Sequence, residues 1–228
     1  MKRETLDQLL NAQAERHAVA LVTSLDDGGE RVVAFENAAS DLLADDLEHA
    51  FRYDKSGVVT AEEGQFFINV YNPPLKMIIV GAVHIAQALI PIASATGFDV
   101  TVIDPRGAFA SVERFPGVTL HAEWPDETIP QIGLDARTAM VALTHDPKID
   151  DPALTLALRS DVFYIGALGS RRTHASRVER LAAHGFNSGE MDRICGPIGL
   201  DIGARGQAEI AISIMAEVIS HLRKGAPS

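Results

Sequence analysis

From residue 76 onward, short apolar runs alternate with segments of helical periodicity, and this alternation constrains the fold more than any other feature of the chain. The runs MIIV, FDVTVID, GVTLHA, TAMVALT and DVFYIG have the length and residue types of buried strands. Helical patterns over residues 84–95, 172–183 and 207–223 follow or separate them. Repeated β–α units predict a parallel sheet covered by helices on both faces. Asp151 followed by Pro152 predicts a further helix, because the pair supplies an N-cap and a proline at the first helical position.

The first 72 residues show a different pattern, in which helices and hairpins are mixed. Residues 5–17 and 41–53 have helical apolar stripes, and two pairs of strands are predicted from AVALVTS with RVVAF and from GVVTAEEGQFFINVY. The segment NPPLK is the predicted linker, because two prolines interrupt either kind of element. The predicted fold class is therefore α/β, with a small α+β domain over residues 1–72 and a Rossmann-like domain over residues 76–228.

The turn after the first strand of the second domain resembles a dinucleotide-binding fingerprint, G-x-G-x-x-G/A. Gly81 supplies the tight turn, but Val83 occupies the position of the glycine that lets a pyrophosphate approach the backbone. His84 starts the helix, where an imidazole can donate a hydrogen bond to an anion. Asp104 ends the second strand, where an acidic residue bonds a ribose hydroxyl in such folds. These residues predict a nucleotide-like ligand at the helix N-terminus, and the alternative is an ordinary strand–turn–helix.

Three loops with unusual chemistry follow the carboxyl ends of predicted strands, where ligands bind in open α/β sheets. Arg106 follows Asp104 in DPRGAF, and THDPKIDD carries His145 beside Asp146, either as an acid–base pair or as an exposed turn. The loop GALGSRRTH combines glycines, a hydroxyl and two arginines before a helix. This combination predicts an anion site, with solvated arginines as the alternative. Its candidate residues are Gly166, Gly169, Ser170, Arg171 and Arg172.

The segment CGPIGLDIGARG contains the last two candidate site residues, Cys195 and Asp201. Its glycines and proline predict a fixed loop that either closes over the crevice or connects rigidly to the last helix. A lone cysteine is more often a buried small residue than a nucleophile, although a thiol beside such a loop is also a candidate for sulfur or soft-metal chemistry. Both Cys195 and Asp201 are therefore retained as candidate catalytic residues.

The amino-acid composition restricts the classes of partner that the chain can bind and the cellular compartment in which it is expected. A formal net charge of −11 argues against nucleic acid, because phosphate backbones require clustered lysine and arginine. The single cysteine excludes an intramolecular disulfide and a multi-cysteine zinc site, so no metal site is predicted. Residues 77–98 lack charged side chains, but polar residues, a proline and a glycine interrupt them, so no membrane span is expected. With no apolar signal segment at the N-terminus, the expected location is the cytoplasm.

Together, the segments IIVGAVHIAQAL, GFDVTVIDPRGAFASVERFPGV, ALTHDPKIDDPAL, YIGALGSRRTH and PIGLDIGARGQAEIAISIMAEV resemble the XdhC/CoxI family, in family order and spacing. The family comprises accessory proteins of molybdenum hydroxylases such as xanthine dehydrogenase and carbon monoxide dehydrogenase. The resemblance implies binding of molybdenum cofactor (molybdopterin), support of its sulfuration, and insertion into the apo-hydroxylase. It also implies a homodimer and a cysteine desulfurase as a second partner. A non-catalytic accessory protein is therefore expected rather than a dehydrogenase.

Two features depart from the family pattern. Val83 stands where the family motif G-A-G-H has its second glycine, and residues 1–75 contain no cysteine and no equivalent of the family's G-G-C motif. The alternative function is an NAD(P)-binding oxidoreductase of Rossmann type, which Val83 weakens. A third interpretation is a regulatory partner of the hydroxylase whose ligand site is vestigial.

Overall fold

The chain divides into two compact units, Met1–Pro73 and Pro74–Ser228, in a computed structural model that describes residues 1–225. The first unit is built around a four-stranded antiparallel sheet of order β2-β1-β4-β3. Apolar residues of β1, β4 and α2, including Val22, Leu47 and Ile68, share one buried cluster. In chain order its elements are α1 Arg3–Ala14, β1 Val19–Ser24, β2 Glu30–Ala34, a 3-10 helix Phe35–Ser40, α2 Ala44–Tyr53, β3 Gly57–Ala61 and β4 Gly64–Tyr71.

The second unit is a six-stranded parallel sheet of order β10-β9-β8-β5-β6-β7, which confirms the predicted Rossmann-like α/β class. Its elements are β5 Leu75–Val80, α3 His84–Ala95, β6 Phe98–Ile103, β7 Thr119–His121, α4 Pro125–Ile132, β8 Thr138–Ala142, α5 Pro147–Leu158, β9 Tyr164–Ala167, α6 Arg171–Ala183, α7 Ser188–Met191, β10 Ile194–Cys195 and α8 Gln207–Lys224. None of the helices in the described residues is long and apolar enough to cross a membrane.

Helices cover both faces of this sheet, as the apolar runs predict. Along β5, Met77 and Ile79 belong to a cluster completed by α3 and α8, whereas Ile78 and Val80 belong to a cluster completed by α4, α5 and α6. Successive side chains of a strand point to opposite faces. Because both faces of β5 are buried over residues 77–80, each of these residues is apolar, and this explains the continuous apolar run MIIV in the sequence.

The order of the strands in the sheet indicates where a ligand would bind. From β5 the chain adds β6 and β7 on one side and later places β8, β9 and β10 on the other, so its direction reverses between β5 and β8. Ligands of open α/β sheets bind outside the carboxyl ends of the strands at such a reversal. The loops after β5, β6, β8 and β9 therefore form the candidate site, and these are the loops that carry most of the predicted site residues.

One predicted helix start is wrong. Helix α5 begins at Pro147, and Asp146 is its N-cap, whose carboxylate accepts a hydrogen bond from the Lys148 amide at 3.0 Å. The Asp151–Pro152 pair lies inside this helix instead of opening it. Asp146–Pro147 and Asp151–Pro152 each supply an N-cap residue followed by a proline, and the folded helix begins at the earlier pair. The short elements α4, α7 and β10 are also absent from the sequence prediction.

Candidate ligand-binding crevice

Gly81, in the loop after β5, lies beside Thr144 in the loop after β8. Its φ of +118° is a conformation that glycine adopts readily and other residues rarely do. A Cβ atom at this position would lie 2.7 Å from Cγ2 of Thr144 and 3.3 Å from the Thr144 amide nitrogen. The first glycine of the fingerprint therefore serves both the tight turn and the contact between two crevice loops.

The N-terminus of α3 faces the crevice without a side-chain cap. Val83 is the N-cap residue, with an extended backbone, and its half-buried side chain packs against the core. His84 is exposed, and the first turn holds no acidic residue. The first amides of a helix have no intrahelical acceptors and carry partial positive charge. The turn therefore retains donors for an anion although its second glycine is missing.

Asp104 is fully buried and is already engaged. Its carboxylate accepts hydrogen bonds from the Ala82 amide at 2.8 Å and from Nε and Nη2 of Arg106 at 2.9 and 2.7 Å. Burial alone would raise the pKa of Asp104, but the hydrogen bonds from Arg106 and Ala82 outweigh it and the pKa is lowered. The carboxylate thus clamps the β5 turn, and the partly exposed Arg106 is the group that reaches the crevice.

An arginine that the sequence reasoning does not select, Arg114, lies in the same loop. Its Nη2 donates to Oε1 of Gln87 at 3.4 Å, and Gln87 donates back to the Arg114 carbonyl at 3.2 Å. Nδ1 of His84 lies 3.1 Å from the same Gln87 oxygen. The guanidinium groups of Arg106 and Arg114 lie 4.7 and 5.8 Å from the centroid of the Phe109 ring. These contacts gather two cations and the imidazole on one side of the crevice.

His145 and Asp146 lie at the carboxyl end of β8. His145 is exposed and has a left-handed backbone, with φ at 62°. Asp146 caps α5 through Lys148, which is a structural role for the carboxylate. Asp146 also contributes, after Asp104, to raising the pKa of Arg106, so the loops after β6 and β8 lie close together. An acid–base role for the pair stays a prediction.

The loop after β9 divides into structural and exposed residues. Gly166, predicted as a loop residue, lies within β9 instead, and a Cβ there would lie 2.4 Å from Cδ1 of Ile198, so its role is packing. Gly169 has a φ of +145°, and Ser170 caps α6 by accepting a hydrogen bond from the Thr173 amide at 3.1 Å. The exposed side chains at the start of α6 are those of Arg171 and Arg172.

Cys195 lies on β10, where it pairs with Gly166 of β9, and its side chain contacts α8. Its Sγ is 3.5 Å from Nε2 of His221, whose Nδ1 lies 3.0 Å from the Glu217 carbonyl. A carbonyl only accepts, so Nδ1 carries the proton and Nε2 accepts from the thiol. Burial and the negative charge of Glu217 raise the pKa of Cys195 to about 12. These contacts favour the structural alternative for Cys195, and Asp201 is exposed in the loop that leads to α8.

The thiol of Cys195 is expected to react slowly in the folded protein. At pH 8 a pKa of about 12 leaves far less thiolate than the ordinary pKa of about 8.5. Alkylation by iodoacetamide should therefore be roughly a hundred- to a thousandfold slower than in guanidinium, measured by mass spectrometry of this single-cysteine chain. Similar rates in the folded and unfolded protein would show that the thiol is activated.

The donor set of the crevice suits a phosphate-bearing ligand. Arg106 and Arg114 follow β6, Arg171 and Arg172 begin α6 after β9, and the N-terminus of α3 has no side-chain cap. Guanidinium groups and helix amides are the donors that proteins use for phosphate. Within residues 1–225, no group of three or more histidine, cysteine, aspartate or glutamate side chains is arranged to hold a metal ion.

A family model described as the XdhC Rossmann domain matches residues 77–218. The chain is 33% identical to the molybdenum cofactor insertion chaperone PaoD of Escherichia coli (strain K12) over 150 residues, which is 66% of this chain and 41% of PaoD. It is 32% identical to a probable xanthine dehydrogenase subunit of Bacillus subtilis (strain 168) over 154 residues, covering 67% and 44% of the two chains. The chain thus spans less than half of the length of either relative.

A crystal structure described as a xanthine dehydrogenase from Bacillus halodurans has the same fold. It aligns with a TM-score of 0.66 and 24% sequence identity, over 98% of this chain and 65% of that chain. The likeness includes both units of the chain, because nearly all of its residues are aligned.

Proposed function

Because this chain belongs to the XdhC family, whose Rossmann domain it contains, we propose that it is an accessory protein that binds molybdenum cofactor and assists the maturation of a molybdenum hydroxylase. The name of PaoD, a molybdenum cofactor insertion chaperone, supports the ligand, and the name of the Bacillus subtilis relative supports the class of partner. The proposed ligand is the same one that the motif resemblance implies.

The concentration of cations at one sheet edge of an acidic chain is the observation that carries the proposal. The net charge is −11, yet Arg106, Arg114, Arg171, Arg172 and His84 all lie in segments that follow the carboxyl ends of strands of the parallel sheet, as does the uncapped N-terminus of α3. A site of this kind binds an anion in spite of the overall charge, because nearby donors dominate at short range. Molybdenum cofactor carries a phosphate on its pterin, which matches this donor set.

The residues of the chain have holding roles in this proposal. The cofactor, when bound, supplies the redox-active molybdenum that the hydroxylase uses. The amides at the start of α3 and the guanidinium groups of Arg106 and Arg172 bind the phosphate, and Asp104 fixes the turn through Ala82. The proposal gives Cys195 a structural role, because its thiol lies against His221 of α8. A homodimer and a cysteine desulfurase partner are further proposals that depend on the family resemblance.

The proposal is tested by purifying the protein anaerobically from a host that makes molybdenum cofactor. Native mass spectrometry should detect the pterin cofactor, and mixing with an apo-hydroxylase should raise its activity. If neither occurs, the chaperone proposal is wrong. Binding of NAD(P) without pterin would favour the oxidoreductase alternative, against which Val83 and the buried, already bonded Asp104 both argue.

Replacing Arg172 with alanine is expected to weaken cofactor binding by roughly 1.5–3 kcal/mol, the range for a hydrogen bond to a charged group. The side chain is exposed at the start of α6, so the fold should not change. Anaerobic titration calorimetry measures the affinity, with Arg3→Ala in the other unit as the control. Equal affinities for the two variants would make Arg172 a solvated surface residue.

A further inference from the structure

A buried ion pair lies beneath two of the crevice loops. Asp150 of α5 and Arg177 of α6 are each 1% exposed, and Nη2 of Arg177 lies 3.7 Å from Oδ2 of Asp150. Neither residue belongs to the candidate ligand contacts described above.

Asp150 holds the loop after β8. Its Oδ1 accepts from the Thr144 hydroxyl at 2.6 Å and from the Thr144 amide at 3.3 Å, and its Oδ2 accepts from the His145 amide at 3.1 Å. His145 has a left-handed backbone, which is unfavourable for a residue with a Cβ. The carboxylate therefore stabilises the strained conformation that directs this loop.

Arg177 holds the loop after β9. Its Nη2 donates to the Leu168 carbonyl at 3.0 Å, directly before the turn at Gly169 and Ser170. Nε and Nη1 are buried and have no hydrogen-bond partner among the described residues. Burial lowers the pKa of Arg177, while the charge of Asp150 opposes that effect.

This arrangement is poorly suited to stabilising the fold. Burying a guanidinium with two unsatisfied nitrogens is costly, and apolar side chains of similar size often replace buried ion pairs without loss of stability. The hydrogen bonds that the pair does make go to the backbone and hydroxyl of the two crevice loops. The pair is therefore arranged to set loop geometry.

We propose that Asp150 and Arg177 are positioning residues, which hold the loops after β8 and β9 in the conformation that binds the ligand. The ligand part of this inference rests on the proposed function. The geometric part does not, because it concerns the backbone at Thr144, His145 and Leu168. The pair links the two loops, so loss of both partners should release both loops together.

The chain offers a matched control on the same two helices. Asp151 of α5 accepts from Nε and Nη2 of Arg180 of α6 at 2.6 and 3.0 Å. This second pair also joins α5 to α6, but it is partly exposed, and Arg180 bonds to the Ser176 carbonyl of its own helix rather than to a crevice loop. A double variant of each pair, Asp150→Leu with Arg177→Met and Asp151→Leu with Arg180→Met, separates loop positioning from helix tethering.

The experiment compares melting temperature, amide hydrogen exchange and the affinity for extracted molybdenum cofactor in the two double variants. We expect the Asp150/Arg177 variant to fold but to melt several degrees below the original chain, because the Thr144 and His145 donors lose their acceptor. Its Thr144 and His145 amides should exchange about tenfold faster or more, and its cofactor affinity should fall about tenfold or more. The Asp151/Arg180 variant should match the original chain in exchange at these amides and in affinity.

Two results would overturn the inference: unchanged exchange at Thr144 and His145, or an equal effect of both double variants. If the buried double variant does not fold, Asp150→Asn replaces it, since the amide keeps the size and one acceptor and should give a smaller increase in exchange. Failure of the original chain to bind cofactor would remove the proposed function. The exchange measurement would still decide the positioning role.

Discussion

Replacement of Asp104 with leucine is expected to lower the free energy of unfolding by about 2–4 kcal/mol, because it removes a buried carboxylate with several charged or backbone donors. The Ala82 amide would lose its acceptor, and the Arg106 guanidinium would lose its partner. The same change should release the β5 turn and weaken ligand binding. Urea denaturation followed by circular dichroism measures the loss of stability.

The control is Asp99→Leu, an exposed residue of β6, the strand that Asp104 directly follows, which should change stability by about 0.5 kcal/mol or less. The effect at Asp104 should also depend on pH. The pKa of Asp104 is lowered in the folded protein, so the stabilisation is complete above the unfolded value of about 3.9 and is lost as the pH falls further. The difference between the original chain and the variant should therefore shrink below about pH 4. A constant difference would mean that the carboxylate charge is not responsible.

Much of the fold is predictable because local pattern decides it. The helix predicted over residues 84–95 is observed as His84–Ala95, since the glycine turn and the apolar stripe are both local signals. Strand β10 has only two residues, and its pairing with β9 defines it, so no periodicity can reveal it. The start of α5 is mispredicted because two Asp–Pro pairs satisfy one rule, and the choice between them depends on contacts within the folded loop.

The sequence predicts where the candidate site lies on the sheet, but it does not predict which hydrogen-bond partners each side chain has. Spacing identifies Asp104, yet spacing does not reveal that Arg106 and Ala82 already occupy its oxygens. Arg114 is not predicted as a site residue, because Gln87, which it contacts, is 27 positions away in the sequence. Arg177 escapes it because an arginine in a polar helix normally indicates a solvated face, and only the tertiary structure buries it.

Alanine at position 81 is expected to destabilise the protein by about 2–4 kcal/mol, through an unfavourable backbone conformation and a steric clash acting together. The φ of +118° is costly for any residue with a Cβ, and that Cβ would lie 2.7 Å from Cγ2 of Thr144. Movement of Thr144 would relieve the clash only in part, because the Thr144 amide nitrogen is 3.3 Å away and belongs to the backbone.

The control for this substitution is Gly107→Ala at the same edge of the sheet. Gly107 has no left-handed φ, and a Cβ added there would meet no atom within 4 Å, so alanine should leave stability nearly unchanged. Thr144 also donates to Asp150, and a displaced Thr144 would disturb the loop that the buried ion pair holds. We therefore expect Gly81→Ala to speed hydrogen exchange at His145 as well as to lower the melting temperature. A variant that melts like the Gly107 control would show that the β5 and β8 loops do not require this close contact.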